Sequence, residues 1–398
     1  MAGVILPDAS WRHRPGLDRL IEALDAAGGM ARWVGGAVRD TLLELPVADI
    51  DLATRFAPDE VIRRLEAAGI RAVPTGIAHG TVTAISAGTV VEVTTLRRDV
   101  ATDGRHAVVA FSDDWREDAA RRDFTMNALY ADPVTSEVFD WFGGLEDLAA
   151  RRVRFIGDPY RRIAEDHLRI LRFFRFHARF GDVVDDAGLA ACVARANDLM
   201  ALSRERIAAE LLKLLVARDA VAVVALMQEH GIFRPVLPEV DADGIARLRE
   251  LAMRERAAGV APDAIRRLAA LVSPAAAEPV GARLKLSNAD RKRLVQATGG
   301  PGDEGARALG YRVGVESAID RLLIAGHDPG ELLAWERPTL PIGGGALVAR
   351  GLAKGPDVAR TLRIIEDRWI AEGFPSTPRV VAIADEAVDQ ALRARRNA

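Results

Sequence analysis

The chain has 398 residues, 28% charged and 49% hydrophobic, with a formal net charge of −3. That composition describes a folded protein of about two to four units rather than a disordered chain, and it excludes a uniformly basic nucleic-acid binder, so any such surface must come from local clustering. A single cysteine, Cys192, rules out an internal disulfide framework and fits a reducing compartment. The chain holds no apolar run of the ~18 residues that a membrane helix needs, and Met1 to Trp11 lacks a basic segment followed by an apolar one, so a cytoplasmic protein is expected.

In chain order, residues 17–27 have the pattern of an amphipathic helix. Ala31-Arg32-Trp33-Val34 reads as a strand entering Gly35-Gly36, and residues 37–45 have helical composition, closed off by Pro46. A strand, a glycine turn and a helix start suit a phosphate, because glycine lets the backbone approach and a helix start presents free N–H groups. Asp49-Ile50-Asp51 follows; in a strand the two carboxylates share one face while Ile50 and Leu52 go to the core. Two hard oxygen ligands beside a phosphate cradle suggest Mg²⁺ and a nucleotide.

Residues 58–68 predict a helix with Pro58 in its first turn, ended by Gly69. Residues 80–86 and 89–97 predict a β-hairpin across Ala87-Gly88. Glu92, among valines in the second run, either lies on a solvated face or joins the aspartates as a third carboxylate, binding a metal or taking a proton from an attacking hydroxyl. Residues 99–118 are mostly polar and read as a mobile loop, and 124–132 and 137–142 as another strand pair. Arg121-Arg122-Asp123 just ahead of it, with Asn127 inside, is either a solvated turn or an arginine clamp on a triphosphate or sugar, with Asn127 adding hydrogen bonds. His79 and His106 have no metal-ligand spacing around them, and His327-Asp328 precedes Pro329-Gly330, which marks a turn.

From Gly144 onward the periodicity is helical, most clearly over 160–180 and again over 201–217, 220–230, 245–257 and 356–373, with N-cap chemistry at Ser287 and a Pro/Gly break at 338–345. Within 160–180, Arg169, Arg172 and Arg175 recur every three residues and Asp166 lies one turn ahead of Arg169. The two are expected to share a face and to be held as a pair by mutual hydrogen bonds. Such a pair offers an acceptor and a donor fork to the Watson–Crick edge of a base; the plainer reading is a salt-bridged exposed face. The fold class expected is α+β: a nucleotide-binding head of mixed sheet and helices, then an all-helical remainder.

Together these pieces resemble the class II tRNA nucleotidyltransferase and bacterial poly(A) polymerase family, within the DNA polymerase beta-like superfamily. Gly35-Gly36-x-Val38-Arg39-Asp40 with Asp49-x-Asp51 is similar to its first motif, and Arg121-Arg122-Asp123-Phe124-Thr125-x-Asn127-Ala128 to its second. Glu165-Asp166-x-x-Arg169-x-x-Arg172 resembles its amino-acid template for CTP and ATP, and Ser203-Arg204-Glu205-Arg206-Ile207-x-x-Glu210 the helical motif that follows. The match is close over about 31–215 and looser beyond.

The resemblance implies a catalytic head (1–145), a helical neck that recognises the base (146–217), a helical body (218–300) and a tRNA-binding tail (301–398). It implies that Asp49 and Asp51 hold two Mg²⁺ ions, that Gly35, Gly36 and Arg39 meet the triphosphate, and that Arg122 contacts the nucleotide. Asp166 and Arg169 would read the base, with Arg172 and Arg175 nearby. The implied reaction adds C, C and A from CTP and ATP to the tRNA 3′ end. A-adding and CC-adding specialists and poly(A) polymerases share most of these motifs. Residues 99–118 are similar to the flexible loop of full CCA-adding enzymes, and the basic end Arg393-Ala394-Arg395-Arg396 is short for a polymerase on arbitrary RNA. Intact Asp49, Asp51 and Arg39 argue against a non-catalytic RNA-binding relative.

Overall fold

Among the described residues nine strands carry the first unit: β1 (Ala31–Val34), β2 (Asp51–Thr54), β3 (Arg71–Gly76), β4 (Thr81–Ser86), β5 (Thr89–Thr95), β6 (Arg97–Thr102), β7 (Ala107–Phe111), β8 (Tyr130–Ala131) and β9 (Val138–Phe139). They come from a computed structural model that describes residues 3–102 and 107–396. Chain contacts divide it into two units, Met1–Pro238 and Glu239–Ala398. Among the described residues seven strands form one mixed sheet in the order β3-β4-β5-β2-β1-β8-β9, and β6 pairs with β7 separately. The β2–β5 pair is parallel and the others are antiparallel.

Side-chain alternation explains which face each strand buries. In β5, Val91 and Val93 go to the core while Val90 and Glu92 stay exposed. The β4–β5 hairpin turns on Ala87 (φ 47°) and Gly88 (φ 85°), the two positive-φ positions that a twisted two-residue turn requires. Near the N-terminus, Trp11 stands edge-on to Trp33 at 5.2 Å and donates its indole N–H to Thr41 Oγ1 (2.8 Å). These contacts seat the helix Gly36–Leu42 against β1 and so place the glycine turn between them. Further along, Phe124 packs between Phe155 (5.0 Å) and Phe176 (5.1 Å), which docks the helix Arg169–Phe180 onto the second motif.

The second unit is helical among its described residues, from Ala242–Ala257 to Thr377–Arg396. One of its cores gathers Leu347, Ile365, Trp369, Val380 and Ile383. Another part holds buried charge: Arg266 joins Glu255 (2.8 Å) and Asp320 (2.8 Å), and Arg293 also reaches Asp320 (2.7 Å). Cys192, in the first unit, is buried and free. Among the described residues no helix is long and apolar enough to cross a membrane.

Several expected elements differ. The helix expected over 160–180 is two, Pro159–Glu165 and Arg169–Phe180, with Asp166 between them in extended backbone (φ −152°, ψ 107°). The polar stretch 99–118 is not a plain loop: it supplies most of β6 and β7 and the start of a helix, Trp115–Ala120. Asp103, Gly104 and His106 lie outside the described residues. Asn127 sits in a 3₁₀ turn, Thr125–Asn127, rather than in a strand. Asp49 precedes β2 instead of belonging to it.

Candidate active site

The parallel pairing of β2 with β5 sets Asp51 directly beside Glu92. Strand neighbours in register present side chains on one face, so two carboxylates meet there by topology alone. Asp49, just outside the strand, is exposed, as is Glu92, whereas Asp51 is half-buried. All three line a cleft of about 630 Å³ together with Arg14, Ile50 and Thr89. Burial and the charge of Glu92 push the Asp51 carboxyl up to about 6; Asp49 adds to the push, and Arg122 and Arg39 oppose it. Carboxylates that repel one another are a donor set for a cation. Among the described residues no three His, Cys, Asp or Glu side chains gather closely enough to hold a metal ion by themselves. A cation at Asp49 and Asp51 would complete its shell from phosphate oxygens and water, the manner in which Mg²⁺ is commonly held.

The glycine turn follows β1, the strand paired to β2 with Trp33 beside Leu52. Gly35 takes φ 66° and ψ −120°, a backbone state open to glycine, and its N–H donates to the Leu129 carbonyl (3.1 Å). With β1 paired to β8, that bond brings the first and second motifs side by side. A Cβ on Gly35 would stand 3.3 Å from Arg122 Nη1, so the guanidinium lies over the turn. The helix that begins at Gly36 is only seven residues long.

The arginines are not equivalent. Arg39 is 6% exposed, with Nε on Asp40 (2.7 Å), Nη1 on Asn127 Oδ1 (2.6 Å) and its plane near the Phe180 ring (4.2 Å). It locks the second motif to the first. Arg121 turns back to Asp118 (2.8 Å). Arg122, part-exposed like Arg121, is held by Asp118 and the Tyr130 hydroxyl. Asn127 also donates to Asp123 (2.9 Å), which receives Arg172 (2.7 Å) from the helix behind it.

The expected Asp166–Arg169 pair is corrected by the structure. Asp166 pairs with Arg206 through both oxygens (2.9 and 3.1 Å) and caps the Leu168 N–H (3.1 Å). Arg169 instead binds Glu165 (2.6 Å) and the carbonyls of Arg162 and Arg121 (both 2.9 Å). The helix break at Asp166 turns the two side chains away from a shared face, and each finds its own partner. Arg172 faces Asp123 and Arg175 faces Glu210 (2.5 Å), so these two arginines tie elements together. Asp118 and Tyr130 were not singled out from the sequence, and Glu165 entered only as the first residue of the template motif, with no role of its own. The spacing of Asp118 three and four residues before Arg121 and Arg122 was a usable signal, as was Glu165 four before Arg169; Tyr130 offered none.

A mixed-sheet head that sets paired carboxylates on strands next to an arginine-covered glycine turn defines a nucleotidyl-transferring enzyme. The family model described as Poly A polymerase head domain matches residues 31–154, and that described as Probable RNA and SrmB- binding site of polymerase A matches residues 184–243. CCA tRNA nucleotidyltransferase 1, mitochondrial, of Mus musculus is 33% identical over 386 residues, covering 90% of this chain and 87% of that protein. The CCA-adding enzyme of Lacticaseibacillus paracasei is 31% identical over 382 residues, covering 92% and 95%. The crystal structure of Bacillus stearothermophilus CCA-adding enzyme in complex with CTP superposes with a TM-score of 0.76 at 27% identity, covering 97% of this chain and 100% of that one. The chain belongs to the CCA-adding tRNA nucleotidyltransferase and poly(A) polymerase family. It is a nucleotidyltransferase, of a family that uses divalent metal ions.

Proposed function

We propose that this enzyme adds C, C and A in turn to the 3′ end of tRNA, taking CTP and ATP as substrates. The observation that carries the reading is the cleft in which Asp51 and Glu92 stand side by side with Asp49, in one unit with the arginine-covered turn, with Asp166 at its helix break and with the helix bearing Arg169. Asp49 and Asp51 hold Mg²⁺ in this proposal. Bound there, Mg²⁺ supplies the positive charge that favours an ionised 3′-hydroxyl and a leaving pyrophosphate. Glu92 completes the acidic wall facing the primer end. Arg122 meets the triphosphate above Gly35 and Gly36, while Arg39, Arg121 and Asn127 keep that surface rigid from behind.

Base choice follows from hydrogen-bond pattern. Cytosine and adenine both present an amino donor next to a ring-nitrogen acceptor, which suits a carboxylate beside a guanidinium. Uracil and guanine present a carbonyl where Asp166 needs a donor, setting two acceptors against each other. Asp166, oriented by Arg206, and Arg169, oriented by Glu165, therefore act as two separately braced halves of a template, with Arg172 and Arg175 bracing the helix behind. The head, neck, body and tail boundaries at about 145, 217 and 300, tRNA contact by the tail, and a cytoplasmic location argued from the lone buried Cys192 belong to the same proposal.

The test is incubation with tRNA transcripts ending before CCA, after C and after CC, each with CTP, ATP or both. Two C residues followed by one A are expected. An A added to the last transcript only would mark an A-adding specialist, and long A tracts on unrelated RNA a poly(A) polymerase; either result overturns the proposal.

A further inference from the structure

We propose that Asp118 and Tyr130 are positioning residues for the incoming nucleotide: together they aim the Arg122 guanidinium over the Gly35 turn, so that the triphosphate meets a cation already in place. The proposal rests on the reading of Arg122 as a nucleotide contact. Asp118 is 1% exposed, and its two oxygens divide their work. Oδ1 accepts from Arg121 Nε (2.8 Å) and from the Arg97 backbone N–H (3.0 Å). Oδ2 accepts from Arg122 Nη2 (3.2 Å) and from the Tyr130 hydroxyl. Tyr130 in turn accepts from Arg122 Nε (3.1 Å). Arg122 is thus gripped along the edge that carries Nε and Nη2, which turns Nη1 toward Gly35, at 3.3 Å from the place a Cβ would occupy.

Both grips are themselves fixed. Tyr130 is fully buried, edge-on to Trp115 (5.7 Å) and Trp141 (5.5 Å), and it stands opposite Val34 in the β1–β8 ladder, one residue before the turn. Asp118 lies on the helix Trp115–Ala120 and takes the first N–H of β6. One carboxylate set against two guanidiniums leaves a net positive charge, so a polyanion still gains by approaching. A guanidinium held in one orientation loses little side-chain freedom when phosphate arrives, and that saving appears as tighter nucleotide binding.

Asp118→Asn, Tyr130→Phe, Arg122→Lys and the double variant Asp118→Asn/Arg122→Lys test this through separate KM values for CTP, ATP and tRNA, alongside kcat and Tm. Asp118→Asn and Tyr130→Phe are expected to raise KM for both nucleotides about tenfold, with KM for tRNA within about twofold of the parent. In the Arg122→Lys background, Asp118→Asn is expected to add less than about twofold, because its effect passes through Arg122. Tyr130→Phe keeps the buried ring and carries the test alone if Asp118→Asn lowers Tm sharply. Additive losses, a rise in the tRNA KM instead, or unchanged nucleotide KM in Tyr130→Phe would overturn the positioning role. An unchanged CTP KM in Arg122→Lys would overturn the reading of Arg122 itself, and with it this inference.

Discussion

Arg206 donates to both carboxylate oxygens of Asp166, at 2.9 and 3.1 Å, from a helix forty residues further along the chain. The acceptor proposed to read a base amino group is therefore oriented by another element, and Arg169 is braced independently by Glu165. Releasing Asp166 should blur base choice. Arg206→Ala is expected to lower the ratio of kcat/KM for CTP over UTP by about tenfold, as Asp166→Ala does, with little added by combining them. The measurement is competing incorporation on a tRNA lacking its 3′ end. An unchanged ratio in either single variant would count against the template assignment.

Asp51→Ala should reduce nucleotide addition to a trace while tRNA affinity stays within about twofold, because the carboxylate serves the cation and the reacting groups rather than the RNA surface. Chelation of divalent ions should give the same block in the parent protein, reversed by added Mg²⁺. Filter binding alongside a single-turnover assay separates the two effects. Substantial activity in the variant would remove Asp51 from its role.

Acid should unlock the joint between the second motif and the helix behind it. Burial raises the Asp123 carboxyl, but Arg172, the Asn127 bond and Arg169 outweigh it and hold it at about 2, against 3.8 when exposed. A depressed folded-state value means that the unfolded chain takes the proton first. The stabilisation is complete above pH 3.8 and is lost as pH falls toward 2, at about 2 kcal/mol for this group. Asp118 behaves likewise: burial raises it, yet Arg122, Arg121 and Tyr130 leave it at about 2. Urea unfolding followed from pH 5 to pH 3 should show a shallower fall in ΔG for Asp123→Asn than for the parent. Parallel curves would exclude the carboxylate as the source.

In the second unit, Asp320 is fully buried and receives Arg266 Nε (2.8 Å) and Arg293 Nε (2.7 Å). Its removal takes one acidic partner from each guanidinium, leaving Arg266 with Glu255 and Arg293 with Asp263 and Glu316. Asp320→Ala is expected to cost about 1–3 kcal/mol of stability, and Asp320→Asn less. Denaturant midpoints for the full chain measure the difference, and a change below about 1 kcal/mol would show that water replaces the lost partner.

Much of the head was legible from local chemistry. Strand β1 matches its expected bounds, the glycine turn adopts the positive φ that only its residue type favours, and Pro58 starts its helix where a missing N–H costs nothing. The β4–β5 hairpin followed from alternation on either side of Ala87-Gly88. Other elements were hidden. Strands β6 and β7 were hidden because the apolar run Ala107–Phe111 is flanked by polar residues, and its strand partner β6 lies across a stretch that reads as loop. The break at Asp166 was masked by apolar residues that keep helical spacing through Ile163, Ile170 and Phe174, while the competing forces, a side-chain cap on Leu168 and the pull of Arg206, leave no trace in periodicity.

The sequence by itself determined the family, the glycine turn, the aspartates and the supply of arginines, since these depend on residue type at short, fixed spacing. Only the tertiary structure decided which charge meets which. Glu92 reached Asp51 through a parallel pairing that joins distant strands, Asp166 exchanged Arg169 for Arg206, and Arg122 was aimed by Asp118 and Tyr130. Coulomb and hydrogen-bond energies depend on separation in space and on burial, and neither is set by distance along the chain.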